Sequence, residues 1–462
     1  MSPVKDDSVE GNDRYLFLGL LLTLLWLPLP VGSNVLWAWS FFEVVVFGLA
    51  IAWLALFALG RVRTTAAFRK AWPVLLLFAL IFALTVFQLV ALPPSWVSWL
   101  SPNAAEVYGH TLTKATLSLD PSGTRAAVLR TLSYGVLFAL TLLLVDRSNR
   151  LRILAAVIVF SALLQSIFGL VMTLSGMELG FIAEKEHYIG IVTGTFVNPN
   201  HLASYLGMCL ALAIGLLLTT PTADWRTRAR NLTRTGFDLT TYLLIATVVI
   251  VIALMLSKSH LGNLAIIGGL ALTGSFYALA VRRFNMKFVA LFIGVILIDI
   301  IVVGSTPEAD ITAGGQPGVT EVYHTGVMRD TLAIVRDYPI TGTGAGSFTS
   351  SYPMYDTSLV GSWQFKHAHN DYLQFGSEFG LPGLGMLASI VLLSAWQAVR
   401  TILSRQNQFM RGIACGVVIA IIALLIHSTG AFNLQIPANA ATFVVILAMA
   451  WHTRWLERQT EI

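Results

Sequence analysis

The chain has 462 residues, of which 56% are hydrophobic and only 11% are charged, and its mean hydropathy is +0.74. A soluble globular surface calls for about 25% charged residues, so the composition excludes an ordinary water-soluble domain. A net charge of +5 and a pI near 9.2 would suit a nucleic-acid partner, but the basic residues are spread in small groups, and no nucleic acid is expected.

Hydrophobic runs recur near residues 15–31, 39–59, 72–92, 126–145, 153–174, 201–219, 239–257, 263–281, 288–304, 382–399, 412–431 and 438–455. About 20 apolar residues cross roughly 30 Å of hydrocarbon as a helix, and lipid leaves the backbone few other ways to satisfy its hydrogen bonds. The fold expected is an all-α integral membrane protein of about twelve transmembrane helices. It divides into a first bundle over 1–303, a large and partly helical loop over 304–381, and a second bundle with a short tail over 382–462. The first run follows charged residues, as in a signal peptide. It is long, however, and ends in PLPVGSN without a small-x-small site, so it reads as an uncleaved span. Cys209 and Cys415 lie inside runs and read as packing residues.

The basic residues fall in alternate loops: Arg61, Arg63, Arg69 and Lys70; Arg147, Arg150 and Arg152; Arg226, Arg228, Arg230 and Arg234; Arg282, Arg283 and Lys287; Arg400, Arg405 and Arg411. Lys and Arg in short loops mark the cytoplasmic side, which puts both termini there and the remaining loops outside. Those outer loops differ in character. Residues 93–124 carry Trp96 and Trp99, interface-type aromatics. Residues 175–200 carry Glu178, Glu184, Lys185, Glu186 and His187 and run into NPNH. SKSHLG, 257–262, is a short turn. The loop 304–381 starts with TAGGQPG, predicts a helix over Tyr323–Asp337, turns at DYPITGTGAGSF, and closes with QFKHAHNDYLQFGSEFGLPG. That last segment gathers Lys366, His367, His369, Asp371 and Glu378, and the function is expected there.

Several residues are candidates for chemistry. Arg329 and Arg336 stand seven apart, on roughly one helix face. They are either a solvated face paired with Asp330 and Asp337 or, beside His324, a grip on an anionic ligand such as a lipid-linked phosphate. Lys258 and His260 sit at a span boundary, where snorkelling or a second phosphate contact both account for them. His367 and Asp371 are four apart and would share a helix face. His-x-His with one aspartate is a weak metal pattern, so no metal or cofactor is expected. The favoured roles are proton transfer and substrate hydrogen bonding by His369, Asp371 and Glu378, with Asn370 alongside, because a histidine titrates near the working pH. Asn198, Asn200 and His201 form either a helix cap or a polyol-binding rim. Glu43, Asp299 and His427 are costly polar groups within or near spans, and Asn433, Gln435 and Asn439 continue the polar theme.

Five elements, taken in order, carry a resemblance: GSN with WAWS and Glu43 (32–43), GTFVNPNHLASYL (194–206), RDYPITGTGAGSF (336–348), HAHNDYLQFGSEFGLPG (367–383) and HSTGAFNLQIPANA (427–440). With them the chain resembles the O-antigen ligase and polymerase superfamily of bacterial envelope glycosyltransferases. The resemblance implies a multi-pass protein of the bacterial inner membrane whose site faces the periplasm. The donor would be a glycan on undecaprenyl pyrophosphate. The acceptor would be lipid A–core for a ligase, or another lipid-linked glycan for a polymerase. It also implies a metal-independent, inverting transfer in which Arg329 binds the pyrophosphate and His369, or else His367, activates the acceptor. The chain departs from the family pattern where Lys258 replaces an arginine in SKSHLG, at Val35 and Leu36 after GSN, and at Ala431. From other classes, a lipid-linked glycan flippase and an envelope scaffold remain readings of the span count. A flippase would concentrate charge at mid-span and show two comparable halves, and transport into proteoliposomes would distinguish it.

Overall fold

The computed structural model describes residues 12–109, 114–181, 184–220, 238–281, 319–357 and 365–456, with a few positions between 286 and 297. Among these residues the fold is helical throughout, with two isolated bridges, Leu92 to Ala115 and Leu179 to Glu184. The main helices are α1 (Arg14–Trp26), α2 (Leu36–Ala58), α3 (Trp72–Phe87), α4 (Pro121–Leu144), α5 (Ser148–Leu174) and α6 (Pro199–Thr219). They continue as α7 (Leu239–Leu256), α8 (His260–Val281), α9 (Val319–Asp337), α10 (Asp371–Ser404), α11 (Gln408–His427) and α12 (Pro437–Trp455).

Among the described residues, eight helices are long and apolar enough to cross a membrane: α2, α4 to α8, α10 and α11. The chain is a multi-pass membrane protein. The sequence expectation of about twelve spans is larger for local reasons. The first run ends as a helix at Trp26, because Pro28 and Pro30 turn the chain before residue 31. The run 72–92 stops at Phe87, where Gln88 turns inward and is buried. α1 and α3 are apolar but shorter, and α12 carries His452 and Arg454 in its last turn. The expected span 288–304 lies mostly outside the described residues, as do Asp299 and the segment TAGGQPG.

The bundle is organised around α6. Its membrane-length window is 89% buried, against 17% for α2, so α6 is central and α2 is lipid-facing. Small residues allow this. A Cβ on Gly215 of α6 would meet the Gly412 carbonyl of α11 at 2.7 Å, and one on Gly416 would meet the Ala211 carbonyl at 2.7 Å. Backbones packed this closely gain dispersion contacts that hydrocarbon cannot replace. At the other end, Arg150 donates to both oxygens of Asp13 (2.9 and 2.7 Å) and to the Leu144 carbonyl (2.7 Å), tying the start of α1 to α5.

Two features set the outer end. α10 is interrupted at Gly380 (φ 69°, ψ 176°) just before Pro382, so residues 371–379 form a separate helical arm above the span. Short helices at Pro94–Leu100 and Pro102–Tyr108 lie with Trp96 and Trp99 exposed and bury Val97 and Ala104 against Val327 and Ile334 of α9. The expected loop helix is therefore present, and it begins four residues earlier than the sequence predicts.

Candidate functional site

The sequence-predicted polar residues come from helix N-termini that meet at this outer end. α6 starts with Pro199 after Asn198, whose side chain caps the helix by accepting from the Asn200 amide at 2.8 Å. α10 starts after Asn370, whose Oδ1 accepts from the Leu373 amide (3.0 Å) while its Nδ2 donates to the Thr429 carbonyl (2.9 Å). Both asparagines thus serve the backbone. Asn200 does more, since its Oδ1 accepts from Ser259 in the SKSHLG turn at 2.7 Å.

Phe432 is the hub of the site. His367 stacks on its ring at 4.2 Å and 17°, His369 meets it edge-on at 5.0 Å and 88°, and His201 does so at 4.6 Å and 75°. Three histidines distant in sequence therefore share one aromatic face-and-edge platform. His201 is buried, its Nε2 has no hydrogen-bond partner among the described residues, and its carbonyl accepts from Asn439 at 3.0 Å. Beneath them His427, the last residue of α11, places Nδ1 2.7 Å from Ser204 Oγ and Nε2 3.5 Å from Ser259 Oγ. NPNH, SKSHLG, HAHND and the 427–440 element are thereby joined in one network. His369 has φ 52° and Lys258 φ 51°, a left-handed backbone that side chains rarely adopt and that recurs at functional sites.

The two carboxylates are both engaged by the fold. The first helical residue of α10 is Asp371, so His367 precedes the helix and shares no helical face with it. Asp371 is buried and accepts from Ser428 Oγ (2.8 Å) and from the Leu434 amide (3.2 and 3.1 Å), which fastens the turn that carries Phe432. Glu378 accepts from the Gly346 amide (3.0 Å) and from Gln374 Nε2 (3.3 Å), and the same Nε2 lies 3.2 Å from His367 Nδ1. Gln374 Oε1 accepts from the Ala368 amide at 3.2 Å. The carboxylate chain therefore runs Glu378, Gln374, His367. Burial, reinforced by Lys366 and Arg130 and opposed by the Gln374 hydrogen bond, pushes the His367 imidazole down to about 4, so it is neutral at pH 7.

The glycine-rich turn after α9 supports this chain. Gln88 donates to the Thr341 and Glu378 carbonyls (2.8 and 2.9 Å) and accepts from the Ala345 amide (3.0 Å). Gly342 (φ 63°) lies so close to the Glu378 carbonyl that a methyl group there would collide with it.

The cations are more dispersed. Arg329 keeps 71% of its side chain exposed and bonds to Asp330 (3.3 Å) and Thr357 (2.5 Å). Arg336 and His260 are exposed, and Lys258 is half-buried at the turn beside Ser259. Sequence reasoning passed over Arg130, which stands over the Trp39 ring at 4.2 Å inside α4. A charge within the run 126–145 was its available signal. Gln374 and Phe432 were missed too, the latter because it sits in a segment read for its amides. Among the described residues no three His, Cys, Asp or Glu side chains assemble as a metal set.

Residues 245–388 match a family model described as O-antigen ligase. No curated protein matches the chain. The matched segment contributes SKSHLG, α9 and the whole of HAHND to the arrangement, while His201, His427 and Phe432 come from outside it.

Proposed function

From the premise that residues 245–388 place this chain in the O-antigen ligase and polymerase superfamily, we propose that it transfers a glycan from undecaprenyl pyrophosphate to an acceptor hydroxyl, lipid A–core or a similar glycan, on the periplasmic face of the inner membrane. The observation that carries this reading is the convergence of His201, His367 and His369 on Phe432, next to the turn that holds Lys258.

Pyrophosphate is a fair leaving group, so the protein's task is to align the acceptor and stabilise charge as it develops. His369 takes the acceptor proton while the hydroxyl oxygen bonds to the anomeric carbon and the bond to pyrophosphate breaks, a single displacement that inverts the centre. His367, neutral and held by Gln374, contributes a hydrogen bond. Asp371 and Glu378 act through the turn and through Gln374, so they are positioning residues. Arg329, with Arg336, Lys258 and His260, draws in the diphosphate, and Asn198, Asn200, His201 and Asn370 form the rim.

The test is complementation of a strain lacking the gene, with envelope glycan as the readout. Unligated lipid-linked polymer in the deletion strain identifies a ligase, and single repeats identify a polymerase. Restoration of normal glycan by His369→Ala would overturn the assignment.

A further inference from the structure

His427 ends α11 with 2% of its surface exposed, and no step of the transfer described above uses it. The space beside its ring is a void of about 10 Å³, bordered by Ser204, Gly262 and Leu424, with room for about one water at most. This void is separate from the apolar cavity of about 410 Å³ between α3, α4, α10 and α12, which Arg130, Tyr134 and Gln435 help to line. A buried imidazole without access to substrate acts only through its neighbours.

Those neighbours set the direction of each hydrogen bond. Ser259 Oγ donates to Asn200 Oδ1 at 2.7 Å, so it offers the ring only lone pairs. The ring nitrogen facing it, Nε2 at 3.5 Å, therefore carries the proton, and Nδ1 accepts from Ser204 Oγ at 2.7 Å. The chain runs from Ser204 through His427 and Ser259 to Asn200. It leaves α6 and returns to it, because Asn200 and Ser204 stand one turn apart on one face. The ring fits because residue 262 is glycine: a Cβ there would meet Ser259 Oγ at 2.8 Å and His427 Cε1 at 3.0 Å.

The object held is the SKSHLG turn. Ser259 is buried, and its carbonyl accepts from the Asn263 amide at 2.9 Å as α8 begins. On the other side, Ser257 Oγ donates to the Leu254 carbonyl at 2.5 Å. Lys258 lies between these two anchored serines with φ 51°, a backbone that persists only where its surroundings over-determine it. We propose that His427 is a positioning residue: through Ser259 it fixes the turn, and with it the half-buried Lys258 side chain. The inference rests on the glycan-transfer reading for what Lys258 meets, the donor diphosphate, and on geometry alone for how Lys258 is held.

Two readouts keep those parts distinct. In the purified full chain in phosphatidylcholine nanodiscs, acetylation of Lys258 by acetic anhydride is followed by mass spectrometry. Lys185, held in its own ion pair with Glu178, is the internal control. His427→Asn keeps an acceptor for Ser204 but loses the donor toward Ser259, whereas His427→Gln carries an amide donor out to the Nε2 position. His427→Asn and Ser259→Ala are expected to speed Lys258 labelling by about fivefold with Lys185 unchanged, and His427→Gln to restore the native rate. In glycan transfer the same two variants should raise donor KM by about tenfold with kcat kept, and add nothing to the loss caused by Lys258→Ala. Should His427→Asn fail to fold, Ser259→Ala and His427→Gln decide the matter. A ring that merely packs would leave Lys258 labelling unchanged or raise it together with that of Lys185, and its loss would add to that of Lys258→Ala; either result overturns the proposal. Labelling that responds while KM does not overturns it as well, since the turn would then hold nothing the reaction meets. Lys258 labelling that depends on His427 in a protein without transfer activity sinks the functional reading and leaves the positioning standing. Transfer that proceeds while neither labelling nor KM responds does the reverse.

Discussion

The histidine platform and the Arg130 cavity both draw on the same short arm, residues 371–379, yet they surround their polar groups differently. On the platform side, Asn200, Ser259, His427, Gln374 and His367 have partners inside the protein, while His201 Nε2 and Asn439 Oδ1 have no hydrogen-bond partner among the described residues. On the cavity side, the Tyr134 hydroxyl and Gln435 Nε2 have no hydrogen-bond partner among the described residues, and Arg130 is half-buried and interacts with the Glu43 carboxylate. The contrast is one of surroundings: most polar groups of the platform are fixed by one another, which lowers a reorganisation cost, whereas the few of the cavity stand among apolar walls.

The sharpest test of the platform side is His369→Ala. Loss of a general base lowers rate by about 10²–10⁴-fold, measured as glycan transfer in vitro, while the melting temperature stays as it was. A fall in both would show that His369 holds the fold and not the chemistry. Gly342→Ala is next. Its left-handed backbone and the nearby Glu378 carbonyl leave no room, and strain of roughly 1–2 kcal/mol from the backbone alone adds to the collision. A reduced melting temperature and weaker transfer are expected, since Glu378 would shift relative to Gln374.

Asp371→Asn replaces two accepting oxygens with one. The Leu434 amide or Ser428 then loses a partner, at about 1–3 kcal/mol for a buried group, and the Phe432 turn loosens. Thermal melts should drop and transfer should fall, whereas Asp371→Glu should recover neither, because its extra methylene moves the carboxylate off Leu434. Arg329→Ala should act more gently, since the side chain is largely exposed. A rise in donor KM of about tenfold with kcat kept is the expected pattern; a fall in kcat alone would remove Arg329 from the diphosphate.

The smallest effect concerns pH. His367 sits near 4 in the folded protein and near 6.5 unfolded. The unfolded chain therefore takes up its proton first, so this contribution to stability is complete above about pH 6.5 and declines as pH falls toward 4. Melting curves across that window should slope less for His367→Phe than for the native chain. Equal slopes would mean that the imidazole is not held neutral.

Much of this was legible in the chain before any coordinates. Apolar runs located α2, α4 to α8, α10 and α11, because span length follows from bilayer thickness. The HAHND, NPNH and SKSHLG motifs were singled out by their polarity against an apolar background, and they do come together. Roles within them were harder to read. Asn198 was ambiguous between cap and ligand and Asn370 was read toward substrate, and the structure gives each a capping bond. Asp371 was read through its spacing to His367, but the helix that would align them starts only at Asp371. Arg130 was hidden by its single charge in a long apolar run.

What the sequence determined by itself was the membrane-spanning character, the helices and the polar segments, because each depends on hydrophobicity and turn chemistry within a few neighbouring residues. Only the tertiary structure decided that Phe432 gathers three histidines, that Asp371 fastens Leu434 63 residues away, and that Glu378 reaches His367 through Gln374. Those partnerships depend on which helix ends meet in space. Close backbone packing of α6 on α11 and the break at Gly380 decide that, and no local pattern records it.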